Sequence, residues 1–361
     1  MCIRDRPKWV FRGIPVIILL IAIFFVGNIN LPYVSLAPGG ADPINRLVSV
    51  PPDKQYPPTG SFLLTTVSLR QNIKPLDLVR DWFDDDMVLI AKKDILGGSS
   101  QQQYNQQAAQ DMTDSKTAAA VVALRALGYS VAEKGNGALI VNVLAGDDIP
   151  AKGLLAPGDV VTAVDGKPTP LATDAIDILQ THKPGDSVAM TVIEKEDGST
   201  VQRTVKLGTR TADSCTNQSV DPSGAGCLGV SLATKNHDFD FPFTVKIDTA
   251  GIGGPSAGLA FTLALIDELT PGELTGGRNV AVTGTIDIDG KVGDVGGVAQ
   301  KTAAVRHAGA RLFLVPPGEF AEAKAHAGKK LKVVQVTTLA DALAALAKNG
   351  GEPVKLASGA P

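Results

Sequence analysis

Gly253-Gly254-Pro255-Ser256-Ala257-Gly258 opens a stretch that closes on Gly290-Lys291-Val292-Gly293-Asp294-Val295-Gly296-Gly297-Val298-Ala299-Gln300-Lys301, with an apolar run from Leu259 to Leu269 behind its first box. The glycines ahead of Ser256 allow a tight turn and close approach of backbone to a substrate. Pro255 suits a first helical turn and the run after it is helix-compatible, which predicts Ser256 near a helix N-terminus. Free N–H groups and the helix dipole favour an oxyanion there, so the backbone of Gly254, Ser256 and Ala257 is the expected oxyanion site. Ser256 and Lys301 have the chemistry of a nucleophile and its base. Taken singly, a Gly-rich turn is also an ordinary anion nest, and most lysines are solvated.

The wider pattern resembles the proteolytic domain of the Lon peptidase family. Three separated motifs carry the resemblance in family order: the GPSAG box around Ser256, the strand Val282-Thr283-Gly284-Thr285-Ile286, and the G-x-V-x-x-V-G-G-x-x-x-K block ending at Lys301. Leu312-Phe313-Leu314-Val315-Pro316 extends it, and the proteolytic domain is expected over residues 228–348. The resemblance implies Ser256 as nucleophile, Lys301 as general base and Thr283 as the residue that orients the lysine. It also implies assembly into a homo-oligomeric ring. Many family members carry an acidic residue ahead of GPSAG where this chain has Gly253.

Composition is that of a globular protein, with 44% apolar and 20% charged residues among 361, and it allows two or three domains. A net charge of −3 argues against a nucleic-acid partner. No Cys/His spacing suits zinc and no HExxH is present, so neither metal nor cofactor is expected. Arg4, Arg6, Lys8 and Arg12 precede the apolar residues Gly13 to Val26, with Trp9 and Tyr33 at the flanks. Residues 1–33 thus read as a basic tip and a transmembrane signal anchor, spanning from Val10 to Leu31, with a cleaved signal peptide as the rival. Positive residues inside place the remainder outside the cytoplasm, so localisation is the cell membrane, single-pass, with an extracytoplasmic catalytic domain.

Residues 34–130 form a β-rich N-terminal region without assigned chemistry. Val48-Ser49-Val50 and Phe62 to Leu69 read as strands, Gln101 to Gln107 as an exposed surface or linker, and Ser115 to Leu127 as an Ala-rich helix stopped by Gly128. From Ala138 short strands alternate with turns. The block GLLAPGDVVTAVDG, residues 153–166, followed by a helix over 174–180 and closing strands over 187–193 and 200–207, resembles a PDZ domain spanning 131–209. That resemblance implies a β-sandwich or barrel that captures peptides by strand addition, here along Leu139, Ile140 and Val141. Residues 210–227 read as a linker in which Cys215 and Cys227, outside the cytoplasm, are expected to form a disulfide. Residues 349–361 read as a flexible tail.

The expected fold is multidomain α+β: a transmembrane helix, the β-rich region, the PDZ-like domain and a C-terminal α/β proteolytic domain. The expected function is an ATP-independent serine endopeptidase, a hydrolase acting on proteins or peptides, since no GxxxxGK[ST] loop occurs in the sequence. The alternative is a catalytically silent, membrane-anchored scaffold that binds peptides. A trypsin-like protease lacks support, because no GxSGG box is present.

Overall fold

A computed structural model describes residues 27–84, 86–210, 215–216, 224–249 and 251–358. The chain folds into two compact units, and one interrupts the other: Met1–Ser130 joins Phe243–Pro361, with Val131–Pro242 as the second unit.

The first half of the interrupted unit supplies β1 (Tyr33–Pro43), β2 (Ser61–Arg70), α1 (Pro75–Trp82), β3 (Val88–Ala91) and α2 (Gln101–Ala126). Strand β1 pairs antiparallel with both β2 and β3. The Gln-rich segment is helix and not linker. Ser100 Oγ accepts from the Gln103 amide while Gln103 Oε1 accepts from the Ser100 amide, a complete capping box. Pairs spaced by four residues (Gln101 with Asn105, Gln107 with Asp111, Gln110 with Asp114) then support the polar turns. The Ala- and Val-rich half of α2 is buried, and Gly128, at φ 85°, terminates it as expected.

The second unit is built on a six-stranded antiparallel sheet, five strands in one path and Lys167–Pro168 paired to one of them beside it. It contains β4 (Ala138–Val143), β5 (Val160–Val164), α3 (Ala172–Gln180), β6 (Ser187–Ile193), β7 (Thr200–Lys206) and β8 (Val230–Thr234). The order is β7-β6-β5-β4-β8. Inward residues such as Ile140, Val164, Met190 and Val205 form its core, as period-two alternation requires. Cys215 and Cys227 are disulfide-bonded. The expected boundary at residue 209 is therefore too early. Residues 228–242 belong to this unit, because β8 pairs with β4 and Asp238–Asp240 pairs with Ala132–Lys134.

The chain then returns to the first unit with α4 (Gly258–Leu269), β9 (Asn279–Val282), α5 (Val298–His307), β10 (Leu312–Val315), α6 (Phe320–His326), β11 (Lys332–Gln335) and α7 (Leu339–Lys348). Its six-stranded sheet runs β11-β10-β9-β2-β1-β3. Strand β9 lies parallel to both β10 and β2, with Ser61 opposite Asn279. Residues 34–130 are thus half of the sheet that carries the proteolytic motifs and not a separate region. Tyr129 meets Phe243 edge-on, ring centroids 5.2 Å apart, where the chain leaves the unit and comes back. The tail beyond α7 is pinned too: the Glu352 amide donates to Glu273 and the Ala357 amide to Ala126. Among the described residues no helix is long and apolar enough to cross a membrane. The stretch from Val10 to Leu31 expected to do so lies outside them except for residues 27–31.

Candidate active site

Ser256 sits on the turn entering α4, half-exposed, while Ala257 and Gly258 are buried. The turn is gripped from two directions. From α2, Ser115 Oγ donates to the Pro255 carbonyl at 3.0 Å, and the Ala108 carbonyl accepts from the Gly254 amide at 2.7 Å. From the segment after β9, the Gly284 amide donates to the Ser256 carbonyl at 3.0 Å and the Leu259 amide donates back to Gly284. Gly258 must be glycine, since a Cβ there would lie 2.9 Å from the Ile286 amide nitrogen. One expected role is overturned here. The Gly254 N–H is committed to Ala108 and so is not an oxyanion donor. The amides of Ser256 and Ala257 have no acceptor among the described residues, and they stand at the positive end of α4.

Lys301 lies on α5, whose N-cap Gly297 has φ 68°. A Cβ at Gly297 would meet Val67 at 2.8 Å, so this residue lets α5 settle against β2. Lys301 is 2% exposed, and its Nζ donates to Thr283 Oγ1 at 3.2 Å. Thr283 Oγ1 in turn donates to the Ser256 carbonyl at 3.4 Å. One hydroxyl can accept and donate at once, so Thr283 has the orienting geometry the motif implied. Burial pulls the Lys301 pKa down to about 8, against an opposing pull upward from the Glu319 carboxylate. The structure thus brings Lys301, Thr283 and the Ser256 backbone together. It makes no hydrogen bond between Lys301 Nζ and Ser256 Oγ among the described residues, a common state of unliganded sites.

Residue-by-residue reading missed Ala108, Ser115 and Glu319. Glu319 is buried, its Oε1 accepts from the Val295 amide at 2.7 Å, and its Oε2 has no hydrogen-bond partner among the described residues. Burial raises its pKa, with neighbouring Asp294 adding to the rise. Nothing in Pro316-Pro317-Gly318-Glu319 marks it in sequence.

The expected peptide edge is also corrected. Leu139, Ile140 and Val141 lie on β4, which is paired on one side to β5 and on the other to β8. Ile140 is moreover wholly buried. The terminal strand beside β4 is β8, which packs against α3 and holds it through the Ala172 amide and Thr234 Oγ1 at 3.0 Å. A strand can be added along β8 and not along β4.

Two family models match the chain. Residues 244–348 match the Lon protease (S16) C-terminal proteolytic domain, and residues 125–207 match a PDZ domain. The Lon protease of Chloroflexus aggregans is 35% identical over 92 residues, 25% of this chain and 11% of that protein. That of Phenylobacterium zucineum is 31% identical over 148 residues, 41% of this chain and 17% of the relative. The chain therefore spans well under two thirds of these relatives' length. A PDZ domain of an SdrC-like protein from Listeria monocytogenes is 27% identical, covering 27% of this chain and 87% of that one, with a TM-score of 0.21. This chain carries a Lon-type serine peptidase domain and, ahead of it in sequence, a PDZ domain.

Proposed function

We propose that the protein is an ATP-independent serine endopeptidase, anchored to the membrane with its catalytic unit outside the cytoplasm, that cleaves peptides held by its PDZ domain. The observation that carries the reading is the buried Lys301 amine, depressed to about 8 and held by Thr283 beside the Ser256 turn. A lysine in that state is neutral in part of the molecules near neutral pH, and the neutral form can act as a base. With one N–H donated to Thr283, the lone pair of neutral Lys301 accepts the Ser256 hydroxyl proton as Oγ bonds to the scissile carbonyl carbon. The negative charge that develops on the carbonyl oxygen is met by the Ser256 and Ala257 amides. Protonated Lys301 then gives its proton to the leaving amine as the C–N bond breaks, and neutral Lys301 next takes a proton from the water that releases the acyl group from Ser256. Peptide would reach the site after adding to the edge of β8 opposite α3. Self-assembly into a ring belongs to the same reading.

The test is mass-spectrometric cleavage profiling of the full chain in lipid vesicles without nucleotide. Wild type should generate new N-termini that neither Ser256→Ala nor Lys301→Ala produces, and the double variant should be no worse than either single one. Near-wild-type turnover by Lys301→Ala would overturn the mechanism, and a requirement for ATP would overturn the independence.

A further inference from the structure

Helix α1 is built inside out. Its charged residue Asp81 is the buried one, at 2% exposure, clasped by Arg70 Nη1 at 3.2 Å and Arg80 Nη2 at 2.8 Å. Leu76, Val79 and Phe83 share the opposite face, one and two turns apart, and Trp82 stands beside them. Leu76 is 78% exposed, Trp82 75% and Phe83 83%. Solvated helices turn their apolar stripe toward a core, so a short helix that buries its carboxylate and presents tryptophan, phenylalanine and leucine is made to meet something apolar.

What it meets is indicated by its chain neighbours. The Ile73 carbonyl, just ahead of α1, accepts from the Leu31 amide at 2.8 Å, and Lys74 Nζ donates to Asn28 Oδ1 at 3.0 Å. The helix is thereby tied to the residues that follow the continuous apolar run Gly13 to Val26. Ile29, between that run and β1, and Tyr33, the first residue of β1, are exposed as well. Tryptophan and other aromatics beside a long apolar segment are the composition of a bilayer interface.

We propose that α1 lies on the membrane surface, with Leu76, Val79, Trp82 and Phe83 dipping into the lipid headgroup region beside the anchor. The proposal rests on the anchored reading given above and adds a second contact, which fixes the orientation of the proteolytic unit over the bilayer instead of leaving it to swing on a tether. Interfacial helices bind in proportion to the apolar area they bury, and an attached anchor keeps even a weak contact engaged.

The sequence contains two tryptophans, at positions 9 and 82, so Trp9→Phe leaves Trp82 as the sole tryptophan, excited selectively at wavelengths tyrosine does not absorb. The full chain carrying Trp9→Phe is placed in phosphatidylcholine vesicles with ordinary or brominated acyl chains. Trp82 emission should fall roughly twofold in the brominated vesicles, as expected for an indole at the interface. Leu76→Glu/Val79→Glu/Phe83→Glu should abolish that quenching while cleavage of a short soluble peptide, which none of the three residues touches, persists. Alkaline carbonate extraction separates this proposal from the anchor. A chain that stays in the vesicles but shows no bromine quenching overturns the interfacial helix alone, and release with no quenching overturns both. Trp82 unquenched by bromine, together with a complex whose mass falls in the triple-Glu variant, would assign the patch to a second copy of the chain and overturn the lipid contact.

Discussion

Lys301 is the residue where function and stability oppose one another. An unfolded chain leaves a lysine near its ordinary pKa of about 10.4, whereas the fold holds Lys301 at about 8. Between these values the unfolded state binds more protons, so this group's contribution to stability rises as pH climbs through that window. Below about 8 the whole penalty is present, roughly 3 kcal/mol for a shift of this size. Lys301→Met, which fills the same space without a charge, should therefore raise unfolding stability at pH 7 by up to about 3 kcal/mol while ending catalysis, and the advantage should shrink by pH 10. Urea denaturation at the two pH values reads this directly, and an unchanged midpoint at pH 7 would mean that burial does not strain the lysine. For the active wild type the same titration makes kcat/KM climb as pH rises toward and through 8. Ser256, Thr283 and Lys301 were legible in the sequence because each sits in a short motif whose neighbours do the local work. The commitment of the Gly254 amide was not legible, because its acceptor, Ala108, lies on a helix encoded before the PDZ domain.

At the scale of elements, α5 delivers the lysine only if its first turn starts where it does. Gly297 caps that helix in the left-handed region, its carbonyl accepts from the Lys301 amide at 3.0 Å, and its bare Cα faces Val67. Gly297→Ala combines unfavourable φ with a contact that β2 must yield to, and should cost about 1–3 kcal/mol. Because α5 would be displaced with it, kcat should fall more than KM rises. Denaturation and steady-state kinetics on the same preparation check both halves, and a stable variant with unaltered kcat would show that the contact is slack. The strands and the helix of the PDZ domain were readable from alternation and turn chemistry, since Pro157-Gly158 and Asp165-Gly166 act locally. The start of α2 was not, because glutamines carry little apolar signal and the helix is fixed by Ser100 and Gln103 at its cap. Strand β8 was misassigned for a different reason: its five residues follow the Ser- and Gly-rich segment, and only its pairing with β4 reveals its unit.

For the whole molecule, the insertion defines where the chain can be cut. Removing 131–242 and joining Ser130 to Phe243 through a short linker should leave a folded proteolytic unit, because Tyr129 and Phe243 already touch and no strand of its sheet is lost. Removing only 131–209 should instead aggregate, since it strands Val230, Leu232 and Phe239 without β4 or the β5–β7 core. Size-exclusion chromatography and thermal melting of the two deletions discriminate, and two equally soluble products would refute the unit boundary. Short-peptide cleavage by the first deletion should persist while protein cleavage weakens.

The parallel pairing of β2 with β9 also sets a schedule for synthesis. Ser61 waits for Asn279 to emerge from the ribosome, and an entire PDZ unit of largely local pairings is made in between. That inner unit can close while the chain grows, whereas the outer sheet cannot complete until its last strands are translated. Half of the peptidase unit therefore waits as an unfinished edge while the PDZ unit is made, and the newborn chain has no assembled means of cleaving anything, including itself, until β9 to β11 have followed.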